Sequence, residues 1–385
     1  MNNFRFENKT KVYFGKGGVK EYLRCLLKNY GDTVMLAYGG GSIKRNGVYD
    51  EVTEILADAG KTVVEFSGIM PNPTYAKVQE GARLAREHHV ELILAVGGGS
   101  VSDCCKIVSA QAKMDEDIWE QQTVKHTYPT DFIPMGTIVT VFGTGSEMNN
   151  GAVITHEEKK IKGALLGAQA DFAFLDPMYS MSVPFAQVIS GAFDTLSHAM
   201  ETYFGKPEEN NLSDDINETV MRSVIRNIRV LLTDHESYDA RSELAWASAM
   251  AENGLLKVGK ITDFQAHQME HQLGAYTDCN HGAGLAVIHP PLYRHICKDG
   301  AVRFSRFAQN VWGIAPQKTP ETTALAGVEA LAAFIKEIGL PTTFGELGIP
   351  ADTDLRAVAD SINLTAGCCK KLTHDEVYEI LKECW

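Results

Sequence analysis

The sequence predicts two domains of different class, an α/β domain over residues 1–183 and an all-helical domain over residues 184–385. Two observations lead to this division. Short apolar runs alternate with amphipathic stretches through the first half, whereas long amphipathic stretches with few β-branched residues fill the second half. In addition, a chain of 385 residues is too long for one hydrophobic core of the usual size.

The first half contains five runs with the character of buried strands. These predicted strands are Thr33–Tyr38, Thr62–Phe66, Phe172–Leu175 and residues 92–96 and 133–140. Helical patterns span residues 47–59 and 74–88. Strands that alternate with helices of this length form a parallel sheet covered by helices on both faces.

The second half places apolar residues at helical spacing in three long stretches. They span residues 217–232, 240–256 and 322–338. The change in pattern follows Asp176-Pro177, which sets the predicted domain boundary near residue 183.

Charge and cysteine content limit the classes of partner that we expect and indicate the cellular compartment. The formal net charge of −13 argues against nucleic acid or an anionic membrane as the main partner. We find neither a signal-peptide pattern at the N-terminus nor an uncharged apolar run approaching the ~20 residues that span a bilayer. Four of the eight cysteines form two adjacent doublets, Cys104-Cys105 and Cys368-Cys369, which indicates free thiols in a reducing, cytoplasmic setting.

A glycine-rich turn follows the third predicted strand. Gly97, Gly98, Gly99 and Ser100 stand where a strand should pass into a helix. Glycines allow close backbone approach to a phosphate, and the amides of a new helix face the anion. The spacing matches neither the usual dinucleotide fingerprint nor the nucleotide-triphosphate loop. A phosphate-binding turn and a purely structural turn both remain open.

A similar turn, Gly39-Gly40-Gly41-Ser42, ends the first predicted strand. An acidic residue at such a position accepts hydrogen bonds from the ribose of NAD and repels a 2′-phosphate. Here the position is glycine and Lys44 and Arg45 follow, which favours NADP(H) over NAD(H). The alternative is that the two basic residues form an ordinary solvated helix start.

Histidines and a carboxylate recur at helical spacing in the second half. Asp194 and His198 are four residues apart, as are His267 and His271, and His281 follows. Side chains four apart emerge on one face of a helix. One carboxylate with several imidazoles suits Fe²⁺ or Zn²⁺, whereas Mg²⁺ and Ca²⁺ prefer oxygen ligands. Single histidines on amphipathic helices are usually structural or face solvent, and this interpretation is retained for His88, His89, His126, His156 and His235.

With these motifs in order, the sequence resembles the iron-containing (group III) alcohol dehydrogenases, in particular their butanol dehydrogenase and broad-range aldehyde reductase branch. The likeness runs nearly from end to end. It is carried by residues 14–17, 38–44, 71–73, 97–103, 144–147, 175–177, 194–198, 267–271 and 281–282.

The resemblance implies a Rossmann-like dinucleotide domain and a helical metal domain, the dehydroquinate synthase-like fold, with one divalent metal in the cleft between them and a homodimeric assembly. The implied metal ligands are Asp194, His198, His267 and His281. His271 is implied to lie near the nicotinamide without binding the metal. The implied cofactor-binding residues are Gly39, Gly40, Ser42, Gly97, Gly98, Ser100, Thr140, Thr144 and Lys162.

Three features of the sequence qualify this resemblance. Phe142 stands where the family usually has a small residue, and we expect it to reshape the cofactor channel. The Cys104-Cys105 doublet replaces smaller residues, from which we expect sensitivity to oxidation. Cys279 is a possible soft ligand or a buried thiol near the metal.

The expected activity is metal-dependent hydride transfer between NAD(P)H and small alcohols or aldehydes, with the metal as Lewis acid. His271 is expected either in the proton path or as a structural histidine. Three alternatives are a glycerol or polyol dehydrogenase of the same superfamily, a lyase similar to dehydroquinate synthase, and a non-catalytic metal or nucleotide sensor.

Overall fold

The computed structural model describes residues 1–207, 209–367 and 369–385. The chain divides into two units, one formed by Glu7–Pro184 and the other by Phe185–Trp385 together with Met1–Phe6. The first unit is built on a parallel sheet and the second is largely helical, so the predicted fold class is confirmed.

The first six residues, Met1–Phe6, group with the helical unit. The prediction had included them in the α/β domain. The N–H of Asn2 donates to the carbonyl of Gly259 at 3.0 Å. This backbone hydrogen bond attaches the segment to the loop that precedes the second histidine pair.

Six parallel strands form the sheet of the first unit, in the order β1-β8-β5-β4-β2-β3. Two further strands, β6 and β7, form an antiparallel hairpin. The strands are β1 (Lys11–Phe14), β2 (Thr33–Tyr38), β3 (Thr62–Phe66), β4 (Leu92–Gly97), β5 (Met135–Val139), β6 (Gly151–His156), β7 (Ile161–Leu166) and β8 (Phe172–Leu175).

The helices of this unit connect successive strands, as parallel pairing requires. They are α1 (Gly18–Leu26), α2 (Ser42–Arg45), α3 (Val48–Asp58), α4 (Tyr75–Glu87), α5 (Gly99–Gln111) and α6 (Ile118–Thr123). Thr74 caps α4, because its side chain accepts a hydrogen bond from the N–H of Lys77 at 3.2 Å.

Alternating residues of the central strands supply two cores, one on each face of the sheet. On β2, Met35 and Ala37 pack into the core that contains residues of α4 and α5. Val34 and Leu36 pack into the opposite core, which contains residues of α1 and α3. Both faces of β2 are therefore buried, which explains its nearly continuous apolar sequence.

Asp103 connects α5 to the hairpin. Its carboxylate accepts the N–H of Val153 on β6 at 2.8 Å and the hydroxyl of Ser146. The aspartate of the glycine-rich motif thus has a structural role that the sequence did not indicate.

The second unit consists of long helices around one large core. They are α7 (Phe185–Tyr203), α8 (Leu212–Thr233), α9 (Tyr238–Glu252), α10 (Gln265–Thr277), α11 (His281–Ile296), α12 (Ala301–Asn310), α13 (Pro320–Glu337), α14 (Phe344–Leu347), α15 (Leu355–Ser361) and α16 (His374–Glu383). Among the described residues, no helix has both the length and the apolar character needed to cross a bilayer.

Among the described cysteines, five are free thiols, namely Cys25, Cys104, Cys105, Cys297 and Cys384, and Cys368 lies outside the described residues. Cys104 and Cys105 are fully buried in the core between α4, α5 and the sheet. Burial raises the pKa of the Cys104 thiol to about 12 and that of Cys105 well above its usual value. Because oxidation requires an accessible thiolate, this environment contradicts the expected oxidation sensitivity of the doublet.

Candidate metal and nucleotide sites

The glycine turns lie side by side at the carboxyl edge of the sheet. Tyr38, the last residue of β2, is paired in register with Val96 of β4. From β2 the chain proceeds to β3 on one side, whereas from β4 it proceeds to β5 on the other. This reversal creates a crevice at the strand ends, which is where open α/β sheets bind ligands.

The turn after β4 requires glycine for steric reasons. A Cβ atom at Gly97 would lie 2.5 Å from Cγ2 of Val101, and one at Gly99 would collide with the side chain of Thr144. Helix α5 begins immediately, with Gly98 as its N-cap and Ser100 in its first turn. The first-turn amides of a helix lack intrahelical acceptors, so this position suits a diphosphate.

Two of the predicted threonines lie beside this turn. The N–H of Thr140 donates to the carbonyl of Gly97 at 2.9 Å, and Thr144 packs against Gly99. Lys162 is held separately on β7, where its ammonium donates to Oδ1 of Asn72 at 2.9 Å. The Pro71-Asn72-Pro73 turn therefore anchors the lysine that the resemblance associates with the cofactor.

A carboxylate that sequence reasoning missed lies on the neighbouring strand β3, beside the end of β2. Glu65 on β3 accepts the hydroxyl of Tyr38 at 2.5 Å and that of Tyr49, and hydrogen bonds from these tyrosines lower the pKa of Glu65. The ammonium of Lys44 lies 3.6 Å from this carboxylate and 4.3 Å from the ring of Tyr49. The positive charge of Lys44 is therefore partly balanced by the carboxylate of Glu65.

Three helices bring the predicted metal ligands together in the second unit. Asp194 and His198 lie on α7, His267 on α10, and His281 is the first residue of α11. Oδ1 of Asp194 lies 3.4 Å from Nδ1 of His198, 3.6 Å from Nε2 of His267 and 3.5 Å from Nε2 of His281. Asp194, His267 and His281 each offer a ligand atom, and these three atoms lie within 4.8 Å of one another, whereas His198 is not part of that group.

The start of α11 explains how His281 reaches this group. Asn280 caps the helix by accepting the N–H of Ala283 at 3.1 Å, and it also accepts the hydroxyl of Ser190 on α7 at 2.5 Å. A Cβ atom at Gly282 would collide with the carbonyl of Ser190. Glycine after His281 therefore permits the close approach of α11 to α7.

The donor set fits a divalent cation. Oδ1 of Asp194, Nδ1 of His198 and Nε2 of His267 are buried and have no hydrogen-bond partner among the described residues. Ligands about 2.1 Å from a tetrahedral metal lie about 3.4 Å apart, close to the observed separations. Buried polar atoms of folded proteins are usually hydrogen-bonded, and these three partnerless atoms lie around one point, so they are suited to bind one cation.

His271 and Cys279 lie next to this group. The ring of His271 stacks on that of His281, with centroids 5.6 Å apart. Sγ of Cys279 is buried and lies 3.9 Å from Oε1 of Glu270. The thiol is therefore close to the candidate metal ligands, but Cys279 does not belong to the group formed by Asp194, His267 and His281.

Sequence reasoning also missed two buried glutamates behind the histidines. Nδ1 of His267 is hydrogen-bonded to Glu201, and Nδ1 of His281 is hydrogen-bonded to Glu270. A signal for both was present. Glu201 follows Asp194 by seven residues on α7 and Glu270 follows His267 by three on α10, so each shares a helix face with a candidate ligand.

Charge within the cluster is strongly coupled. Burial alone would raise the pKa of Asp194, but the neighbouring imidazoles hold it well below its usual value. Burial alone would lower the pKa of His267, but the carboxylates of Glu201 and Asp194 raise it to about 10. In the metal-free protein His267 therefore retains a proton at neutral pH.

Comparison with known proteins gives consistent matches along the chain. The family model described as "Iron-containing alcohol dehydrogenase" matches residues 9–177, and "Fe-containing alcohol dehydrogenase family, C-terminal" matches residues 188–385. A probable NADH-dependent butanol dehydrogenase 1 of Bacillus subtilis (strain 168) is 40% identical and is covered over 99% of both chains.

Two further relatives extend the comparison. The NADPH-dependent aldehyde reductase YqhD of Escherichia coli (strain K12) is 35% identical over 91% of this chain and 90% of its own length. The crystal structure of NADH-dependent butanol dehydrogenase A from Thermotoga maritima superposes with a TM-score of 0.94 at 34% identity, covering 100% of this chain and 99% of that chain.

The raised pKa of His267 predicts how metal affinity depends on pH. A ligand must lose its proton before it binds a metal, so a higher pH assists binding. For the metal-stripped protein we expect the dissociation constant for Zn²⁺ to fall by about tenfold or more per pH unit between about pH 6.5 and 8. Competition titrations with a chelating dye measure this. A dissociation constant that does not change over the range would contradict the assignment of His267.

Proposed function

The chain belongs to the iron-containing alcohol dehydrogenase family, and from this we propose that it is an NAD(P)H-linked, metal-dependent oxidoreductase acting on small primary alcohols and aldehydes, similar to the butanol dehydrogenases. The observation that supports the proposal most strongly is the convergence of three imidazole nitrogens on Oδ1 of Asp194 at 3.4–3.6 Å. Relatives named butanol dehydrogenase or aldehyde reductase support the substrate class.

We propose Asp194, His198, His267 and His281 as the metal ligands. Both Fe²⁺ and Zn²⁺ suit one carboxylate with three imidazoles. When bound, such an ion supplies Lewis acidity towards the carbonyl oxygen of an aldehyde. The residues themselves hold the ion in a mostly buried group, where their charges are weakly screened by solvent.

His271 is our candidate for the proton path. It lies one helical turn beyond His267, and its ring is stacked on that of His281. An imidazole gains and loses a proton near physiological pH, so its protonated form is suited to supply the proton that converts the alkoxide into the product alcohol.

The coenzyme is proposed to bind at the carboxyl edge of the sheet. The proposed phosphate contacts are made by the turn of Gly97, Gly98 and Ser100, with Thr140 and Thr144 beside it. Gly39, Gly40 and Ser42 are proposed to contact the adenosine ribose, and Lys162 to contact the nicotinamide side. The support is the position of both turns at the reversal of strand order.

We further propose that the protein prefers NADP(H) to NAD(H). Residues 39–42 contain no acidic side chain that would repel a 2′-phosphate. The relatives include NADH-dependent and NADPH-dependent proteins. Lys44 is the first basic residue after this turn and is our candidate for contacting the 2′-phosphate. A 2′-phosphate would have to compete with Glu65 for the ammonium of Lys44.

The protein is also proposed to act as a cytoplasmic homodimer. The free thiols of Cys25, Cys104, Cys105, Cys297 and Cys384 are consistent with a reducing compartment. Strand β1 lies at the edge of the sheet, where the backbone of a strand can pair with another chain, and Phe14 at its end is 46% exposed.

Sedimentation equilibrium should give twice the mass of one chain, and a monomer at micromolar concentration would contradict the proposal.

Replacement of His267 tests the catalytic proposal. We expect His267→Ala to lose tight metal binding and to lower turnover of butanal by about a thousandfold or more, because several kcal/mol of transition-state stabilisation are removed. Metal analysis after anaerobic purification and the absorbance of NADPH and NADH measure the two effects. The exposed His88→Ala variant should retain both. Full activity in metal-free protein would exclude the proposal, as would coenzyme binding without any turnover.

Coenzyme preference is tested by comparing kcat/KM for NADPH and NADH with butanal as substrate. We expect the higher value with NADPH, and we expect Lys44→Ala to lower the NADPH value about tenfold while changing the NADH value little. The control is Lys20→Ala, an exposed lysine on α1. A higher value for NADH would overturn the preference, and equal losses for both coenzymes would exclude Lys44 as its cause.

A further inference from the structure

Two of the proposed metal-binding imidazoles have a carboxylate on the far side of the ring. Glu201 is hydrogen-bonded to Nδ1 of His267, and Glu270 is hydrogen-bonded to Nδ1 of His281. The opposite nitrogen of each ring, Nε2, is the one that lies 3.5–3.6 Å from Asp194. Both glutamates are 0% exposed, so solvent does not compete for these hydrogen bonds.

Glu201 is fixed by the start of α10 as well as by the imidazole. Its Oε1 accepts the N–H of Ala266 at 2.6 Å, and its Oε2 accepts the N–H of His267 at 3.2 Å. These amides belong to the first turn of α10, where backbone N–H groups lack intrahelical acceptors and stabilise negative charge. The glutamate therefore sets both the position of the helix and the orientation of the His267 ring.

Glu270 occupies the equivalent position for His281. It lies on α10, and its side chain reaches the first residue of α11. A Cβ atom at Gly284 would lie 3.0 Å from Cγ of Glu270, so the absence of a side chain at Gly284 makes room for the glutamate. The close packing of α10 and α11 at this point is built around the carboxylate.

These contacts select one tautomer of each histidine. A neutral imidazole has one N–H donor and one lone pair. If Nδ1 carried the lone pair, it would face a carboxylate oxygen and be repelled. With the proton on Nδ1, each ring donates to its glutamate, and the lone pair of Nε2 is left available to a cation bound between the ring and Asp194.

We propose that Glu201 and Glu270 are positioning residues of the metal centre, which fix the tautomer and orientation of His267 and His281 and increase their basicity as ligands. The inference rests on the proposed function, since it requires that these histidines bind a metal. Carboxylates placed in this way behind ligating histidines strengthen metal binding in other proteins. With Asp194, the two glutamates also surround the site with three negative charges, which favours retention of a divalent cation.

The test compares Zn²⁺ affinity in full-length, metal-stripped variants by competition with a chelating dye. We expect Glu270→Gln to raise the dissociation constant about 10- to 100-fold, because the amide still accepts from Nδ1 but lacks the charge. The matched control is Glu218→Gln, another buried glutamate of the same unit, which accepts hydrogen bonds from Tyr203 and Arg306. This variant should lose stability while its Zn²⁺ affinity stays within twofold of the wild type.

Each outcome discriminates between explanations. A folded Glu270→Gln variant with wild-type Zn²⁺ affinity would overturn the inference while leaving the proposed function intact. Absence of tight Zn²⁺ binding by the wild-type protein would instead refute the metal site itself.

A second measurement needs no variant, and it applies if the substituted protein does not fold. NMR of the zinc-loaded wild type with ¹⁵N-labelled histidine should show a retained Nδ1 proton on both His267 and His281, and metal bonding through Nδ1 would contradict the proposal.

Discussion

The attraction between the buried carboxylate of Asp194 and the imidazoles around it organises the centre of the helical unit. An ionised carboxylate is strongly disfavoured in a protein interior unless opposite charge and hydrogen bonds compensate it. Asp194 is 3% exposed, and the buried Glu201 and Glu270 add two further negative charges behind the histidines. A divalent cation shared by the ligands would balance most of this charge. The ion proposed for catalysis would therefore also stabilise the packing of α7, α10 and α11.

Close backbone approach is the second constraint, and it acts at both sites. Gly282 allows the start of α11 to contact α7, and Gly99 allows the loop containing Thr144 to contact the start of α5. At each place the glycine is required by a neighbouring group, so its presence is explained by packing before any ligand is considered. The ligand-binding potential of each unit arises from what its own contacts bring together. In the α/β unit this is a helix start, and in the helical unit it is a set of lone pairs.

Much of the fold could be predicted because its signals are local. The apolar run of β2 and the helical spacing of α8 are direct consequences of burial, and the four-residue spacing of Asp194 and His198 indicated a shared helix face. Strand β1 was not predicted, because it is short and its end residues are exposed, so its periodicity is weak. Glu201, Glu270 and Glu65 were not predicted as functional residues. Helical spacing placed Glu201 and Glu270 on the same helix faces as candidate ligands, but a glutamate usually faces solvent, whether it lies on a helix or, as Glu65 does, on a strand. Only the packing of separate elements shows that these carboxylates face histidines or tyrosines.

X-ray absorption spectroscopy at the metal edge of the loaded protein tests the central claim most directly, because it reports the atoms bound to the ion. The donor set of Asp194, His198, His267 and His281 predicts nitrogen and oxygen scatterers at about 2.0–2.2 Å, with the outer-shell pattern of about three imidazoles. It also predicts no sulfur, although Cys279 lies nearby. A sulfur scatterer at about 2.3 Å, or a shell of oxygen atoms without imidazole, would contradict the account.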